Sequence, residues 1–188
     1  MGFEDDVRSA FRRGDTDEVA RMARAEATRA RAAADAPAEV EALYALSRVA
    51  LRGNDLPRAE ELARAALEVA LTTQSRAIEE RPRHVLAAVA RLSGDYALAR
   101  ERYLAGIALN EELGRPEAVN SESYNLGFTE LHLGHLDRAR ELFDGVRDRV
   151  FRNGDREFVP YLAVGARLEP ADALGGSVVP PGHDASHD

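Results

Sequence analysis

The sequence predicts an all-α fold, a stack of four helical hairpins followed by one closing helix, and three observations carry that prediction. The first is a period: Ala59, Ala99 and Ala139 stand 40 residues apart, as do Leu46, Leu86 and Leu126, and the column Ala63, Tyr103 and Phe143. The second is phase. Turn signals at Gly53-Asn54-Asp55, Ser93-Gly94-Asp95 and Leu133-Gly134-His135 fall at one point of each period. The third is composition, since 45% apolar and 31% charged residues over 188 positions suit a folded chain with a buried core. Small residues at helical spacing are what stacked hairpins need, because alanine lets two helix backbones approach and a larger neighbour fills the remaining space.

Taken in order, residues 1–13 and 16–34 read as a divergent first hairpin around the turn Gly14-Asp15. Val7, Ala10 and Phe11 share one side of its first helix. Val19, Met22, Ala23 and Ala27 point inward on its second, while Arg21, Arg24 and Arg31 face water. Asp35-Ala36-Pro37 closes this unit and opens the next, with proline where its missing N–H costs nothing. The second hairpin pairs 38–52 with 57–73, capped by Asn54 or Asp55, and the third pairs about 78–92 with 96–113, capped by Asp95. Pro82 would kink a helix that began near Ser75, so a start near Glu80 is expected. Leu113-Gly114-Arg115-Pro116 ends one helix and opens the fourth hairpin. The hairpins thus occupy about 1–35, 36–75, 76–115 and 116–155 of one repeat domain over 1–168. Residues 156–168 carry Phe158, Tyr161, Leu162, Val164 and Leu168, enough apolar surface for a closing helix over the fourth hairpin. From Glu169 onward Pro, Gly, Ser, Asp and His dominate, and 169–188 is expected to be a disordered tail because it cannot offset its ordering entropy.

Composition also excludes functions. A net charge of -8 argues against a general nucleic-acid or acidic-membrane binder. There is no cysteine, hence no disulfide, thiolate metal site or cysteine nucleophile. All 25 basic residues are arginine, so neither a Schiff base nor a Walker-type phosphate loop can form. The acidic start of the chain does not read as a secretory signal, and Asp6 stands where a myristoylated terminus would want Ser or Thr. No run approaches the roughly 20 apolar residues that span a bilayer. The expected location is the cytoplasm.

Residues 124–146 carry a further signal: Leu126 and Gly127, then Glu130, a turn at Gly134, then Ala139, Phe143 and Val146. This stretch resembles a tetratricopeptide repeat (TPR), and its spacing of 40 resembles the longer arrays of kinesin light chains and of bacterial regulators that sense peptides. The resemblance implies a right-handed α-α superhelix in which the first helix of each hairpin lines a concave groove. Carried over by register, the lining is Glu4, Asp5, Arg8, Phe11 and Arg12; Glu41, Tyr44, Arg48, Leu51 and Arg52; Arg81, His84, Val85, Ala88 and Arg91; and Ser121, Tyr124, Asn125, Phe128, Leu131 and His132. The family's carboxylate clamp is not reproduced, because the positions equivalent to Asn125 are Asp5, Ala45 and Val85.

The expected ligand surface is therefore Arg8, Arg12, Arg48, Arg52 and Arg91 as partners of a carboxylate or phosphate, Tyr44, Tyr124 and Phe128 as apolar anchors, and His84, Asn125 and His132 as polar groups. Against this stands a plainer reading, in which exposed arginines only solvate helix faces, as in the i, i+4 pair Glu4 and Arg8. His132 and His135 have a metal-like spacing, yet they span a helix end and a turn, and His183 and His187 lie in the expected tail, so no metal site is expected. No nucleophile motif or glycine-rich phosphate loop is present, and neither catalysis nor a cofactor is expected. Two functions follow. One is a protein- or peptide-binding adaptor or sensor for an acidic or carboxylate-ended partner; the other is a self-assembling structural protein, a homo-oligomer whose groove is incidental.

Overall fold

The turns that end the helices are of one kind and recur every 20 residues. In the computed structural model, which describes residues 2–154 together with Phe158, Val159 and Leu162, the left-handed backbone positions are Gly14, Ala34, Asn54, Gln74, Gly94, Gly114, Gly134 and Gly154. At most of these turns the next residue's N–H reaches back five positions: Asp15 to the Ala10 carbonyl, Asp35 to Ala30, Asp55 to Ala50, Asp95 to Ala90, Arg115 to Asn110 and His135 to Glu130, at 2.9–3.0 Å. This is the Schellman closure, which satisfies carbonyls that the helix end leaves unpaired. The same residue then opens the following helix. Asp15, Asp35, Asp55 and Asp95 each accept a hydrogen bond from the N–H three residues on, at 3.1–3.3 Å.

The chain divides into two compact units, Met1–Val89 and Ala90–Asp188. The first holds α1 (Phe3–Arg13), α2 (Thr16–Ala32), α3 (Ala36–Arg52), α4 (Leu56–Thr72), a 3-10 turn (Arg76–Ile78) and most of α5 (Glu80–Leu92). There α1 packs on α2, α2 on α3 and α3 on α4. Val7, Ala10, Phe11, Val19, Ala23 and Ala45 form one buried cluster, and Val40, Leu43, Leu62, Ala66 and Ala70 another. Alanine recurs at the tightest places for the steric reason its columns predict. Pro82 sits harmlessly in the third position of α5, since that helix begins at Glu80.

The second unit holds α6 (Tyr96–Glu112), α7 (Pro116–His132) and α8 (Leu136–Asn153), with α7 packed on both of the others. Two glycines inside helices mark the closest approaches. A Cβ on Gly106 would come within 2.9 Å of the Glu122 Cδ, and one on Gly127 within 2.6 Å of the Phe143 ring. Phe158 is buried against Tyr124, Phe128, Val146 and Val150. The expected closing helix, apart from Phe158, Val159 and Leu162, and the expected tail over 169–188 lie outside the described residues.

Candidate functional site

The most organised surface chemistry lies in the first unit, on α1, α3 and α5. Tyr44, Arg48 and Arg52 follow one another at i, i+4, i+8 and so form a single stripe along α3. The Arg48 guanidinium carbon stands 4.3 Å from the centroid of the Phe11 ring on α1 and 5.5 Å from that of Tyr44. Arg52 approaches the same Phe11 ring to 5.1 Å and donates a hydrogen bond to the Phe11 carbonyl at 3.2 Å. From α5, Arg81 lies 5.5 Å from the Tyr44 ring, pairs with Glu41, and has Glu4 at 3.8 Å. The result is a ladder in which guanidinium and ring alternate: Arg52, Phe11, Arg48, Tyr44, Arg81. Both rings are 5% exposed, so they are fixed by the core beneath them and present an edge or face to the cations rather than to water.

The ladder gathers only part of the expected set. Tyr44, Arg48 and Arg52 belong to it. Arg8, half-buried, lies 3.8 Å from Asp5, Arg12 is exposed, and His84 is buried. Phe11, Glu41 and Arg81 have the right register for the lining, yet the expected ligand set omits them. Their signal was present in the sequence as an aromatic residue and an opposite-charge pair in lining columns, but the cross-helix contacts that unite them follow no fixed offset.

In the second unit Tyr124, Asn125 and Phe128, expected at the ligand surface, lie in the core. Tyr124 is 0% exposed and Asn125 2%, and Phe128 is likewise buried. The Tyr124 ring meets Phe128, Phe143 and Phe158 edge-on at 5.0–5.6 Å, while Asn125 donates to the Ser121 carbonyl at 3.0 Å. Rings that complete such a cluster have no face left for a ligand. Arg91 is also buried rather than open. It occupies the column of Phe11, Leu51 and Leu131, and its charge acts on the buried Tyr103 beside Glu122. Burial pushes the Tyr103 hydroxyl up to about 12, with the Arg91 charge opposing and the Glu122 charge adding.

His132 stacks on Tyr96 with ring centroids 4.5 Å apart, and its Nδ1 lies 2.8 Å from the Phe128 carbonyl. His135 Nδ1 lies 2.7 Å from Glu130 Oε2, and Arg100 Nε donates to Glu130 Oε1 at 2.8 Å. Burial alone would raise the Glu130 pKa, but the hydrogen bonds from His135 and Arg100 outweigh it and hold the carboxyl below its ordinary value. Among the described residues no group of three or more His, Cys, Asp or Glu side chains is arranged to hold a metal ion, and no helix is long and apolar enough to cross a membrane. His183 and His187 lie outside the described residues.

No protein-family model matches the chain, and no curated protein matches it. Among solved structures it is similar to a protein of Podosopora anserina described as a kinesin light chain with nearly identical TPR-like repeats. The two share 16% sequence identity over 79% of this chain and 73% of that one, with a TM-score of 0.58. That likeness and the succession of packed helices identify the fold as a TPR-like helical repeat fold.

Proposed function

We propose that the chain is a protein- or peptide-binding module, an adaptor or regulatory sensor, and that the arginine–aromatic ladder of the first unit is its ligand surface. The observation that carries this reading is the state of Arg48 and Arg52. Among the described residues neither is paired with a carboxylate, although 33 acidic residues are available to the chain. Solvating arginines on these helices are treated differently, as in the pairs Arg21–Glu18 and Arg64–Glu60 at 2.6 Å. A stacked guanidinium whose N–H edge stays open suits an acidic side chain or a terminal carboxylate, with Phe11 and Tyr44 fixing its plane. The module works by binding alone, without cofactor or catalysis.

The experiment is cross-linking to bound peptide from a defined acidic peptide library, comparing the wild type with Arg48→Ala/Arg52→Ala. Capture should fall at least tenfold in the double variant while far-ultraviolet circular dichroism stays unchanged. Equal capture by both proteins would remove the ladder from the binding surface. The exposed apolar residues of α8, Phe151 at 65% and Leu136 at 49%, favour a second reading in which the chain self-assembles. That reading predicts a mass by light scattering that rises with concentration in both proteins and falls with Phe151→Ser.

A further inference from the structure

Arg48 and Arg52 stand one helical turn apart on α3, and both rest on one ring that cannot yield. Phe11 is packed on Val7, Ala10, Val19, Ala23 and Ala45, so the two guanidinium carbons are held 4.3 and 5.1 Å from a fixed centroid. Two like charges from one helix are thereby held against one ring. Arg48 has ring contacts alone, and Arg52 uses one N–H on the Phe11 carbonyl, which leaves most donors of both forks unpaired among the described residues.

The next rung of the same ladder shows the arrangement in its filled form. Arg81 lies over Tyr44 as Arg48 lies over Phe11, but its fork already holds Glu41, with Glu4 close by. One stacked guanidinium is thus satisfied by one carboxylate. The open corner has two forks, and a planar carboxylate fully served by a single fork leaves the second charge uncompensated. A tetrahedral oxyanion with two charges and three acceptor oxygens serves both, since each charge-assisted bond spans about 2.8 Å between heavy atoms.

We infer that the Phe11, Arg48 and Arg52 corner is a subsite for the phosphoryl group of a phosphorylated peptide, an inference that rests on the peptide-binding reading given above. The ring orients the forks, the paired charge selects a dianion, and the filled Arg81 rung directs the phosphoryl group to this corner rather than along the whole ladder.

Fluorescence polarisation on the full chain tests it, with three degenerate peptide pools that differ only in a fixed central phosphoserine, glutamate or serine. The phosphoserine pool should bind at least tenfold more tightly than the glutamate pool, and inorganic phosphate should compete with it. Arg48→Ala should abolish the preference. Arg48→Lys, which keeps the charge but not the fork, should reduce it severalfold. Phe11→Leu places in this column the residue type that Leu51 supplies one repeat later, so the helices are retained while the platform and the preference are lost. Equal binding of the phosphoserine and glutamate pools, or a preference that survives Arg48→Ala, overturns the subsite and leaves peptide binding standing. Binding of none of the three pools overturns the peptide reading and the subsite together.

Discussion

Gly127→Ala tests the packing of the second unit at its closest point. Alanine is the better helix former by about 1 kcal/mol, so propensity alone predicts a more stable protein. The structure predicts the reverse. A Cβ at 127 would lie 2.6 Å from Phe143 Cε1 and 2.8 Å from Cζ, well inside contact distance. The ring cannot swing away freely, because it meets Tyr124 at 5.5 Å and Phe128 at 5.1 Å, both edge-on. Overpacking of this kind costs about 1–3 kcal/mol, and disturbing an edge-to-face pair adds about 0.5–1.5 kcal/mol. After subtraction of the propensity gain, the variant should be destabilised by about 0.5–3.5 kcal/mol. Urea unfolding measures this as a lowered midpoint at unchanged slope. Phe143→Leu removes the ring that obstructs, so Gly127→Ala in that background should be neutral or stabilising, and the double-mutant cycle isolates the contact. A Gly127→Ala protein at least as stable as the wild type would refute the claim that glycine stands there to seat the ring.

The connectors give a matched pair of tests. Gly134→Ala places a side chain in open space at φ 80°, so its cost is conformational alone and should be about 1 kcal/mol in the same unfolding assay. Ala34→Gly and Gln74→Gly relieve φ values of 52° and 57° and should stabilise by about 0.5 kcal/mol each; a loss of stability in both would contradict the strain argument. Glu130 predicts a pH dependence. Its folded pKa lies below the ordinary glutamate value of about 4.3, so its contribution is complete above that pH and disappears as the pH falls through the folded pKa. The stability difference between wild type and Glu130→Gln should therefore shrink on acidification below the ordinary glutamate range, and a difference unchanged from neutral to acid pH would show that the His135 and Arg100 bonds do not act on its charge.

The order of hairpins was legible because the alanine columns that bring helices together must keep a strict period, and Ala59, Ala99 and Ala139 do. The shorter step of 20 was hidden. Its marker is a backbone angle, and Ala34, Asn54 and Gln74 adopt that angle without the glycine that would announce it. Tyr44, Arg48 and Arg52 could be grouped from the sequence because i, i+4 neighbours on one helix meet whatever surrounds them. Tyr124, Asn125 and Arg91 could not be placed, because register gives the direction of a side chain from its own helix but not what comes to cover it. Phe143 from α8 and Phe158 cover Tyr124, while Tyr103 and Glu122 surround the charge of Arg91. The polar character of Asn125 and Arg91 suggested a surface; a core that encloses polar groups reads the same way in one dimension.

The recurring connector has a consequence for how such a chain grows. The turn after α2 and the turn after α3 have a left-handed residue at the same position, Ala34 and Asn54, the same five-residue backward bond and the same aspartate opening, so nothing in the backbone of the joint records which helix it joins to which. The joint behaves as a universal coupling. A segment of 20 residues cut just after a left-handed position could be spliced in without straining the backbone, yet every helix beyond it would trade the first place in its hairpin for the second. A segment of 40 preserves both the joint and the role. Length in this architecture is thus quantised in whole hairpins by the side chains, while the backbone alone would accept halves.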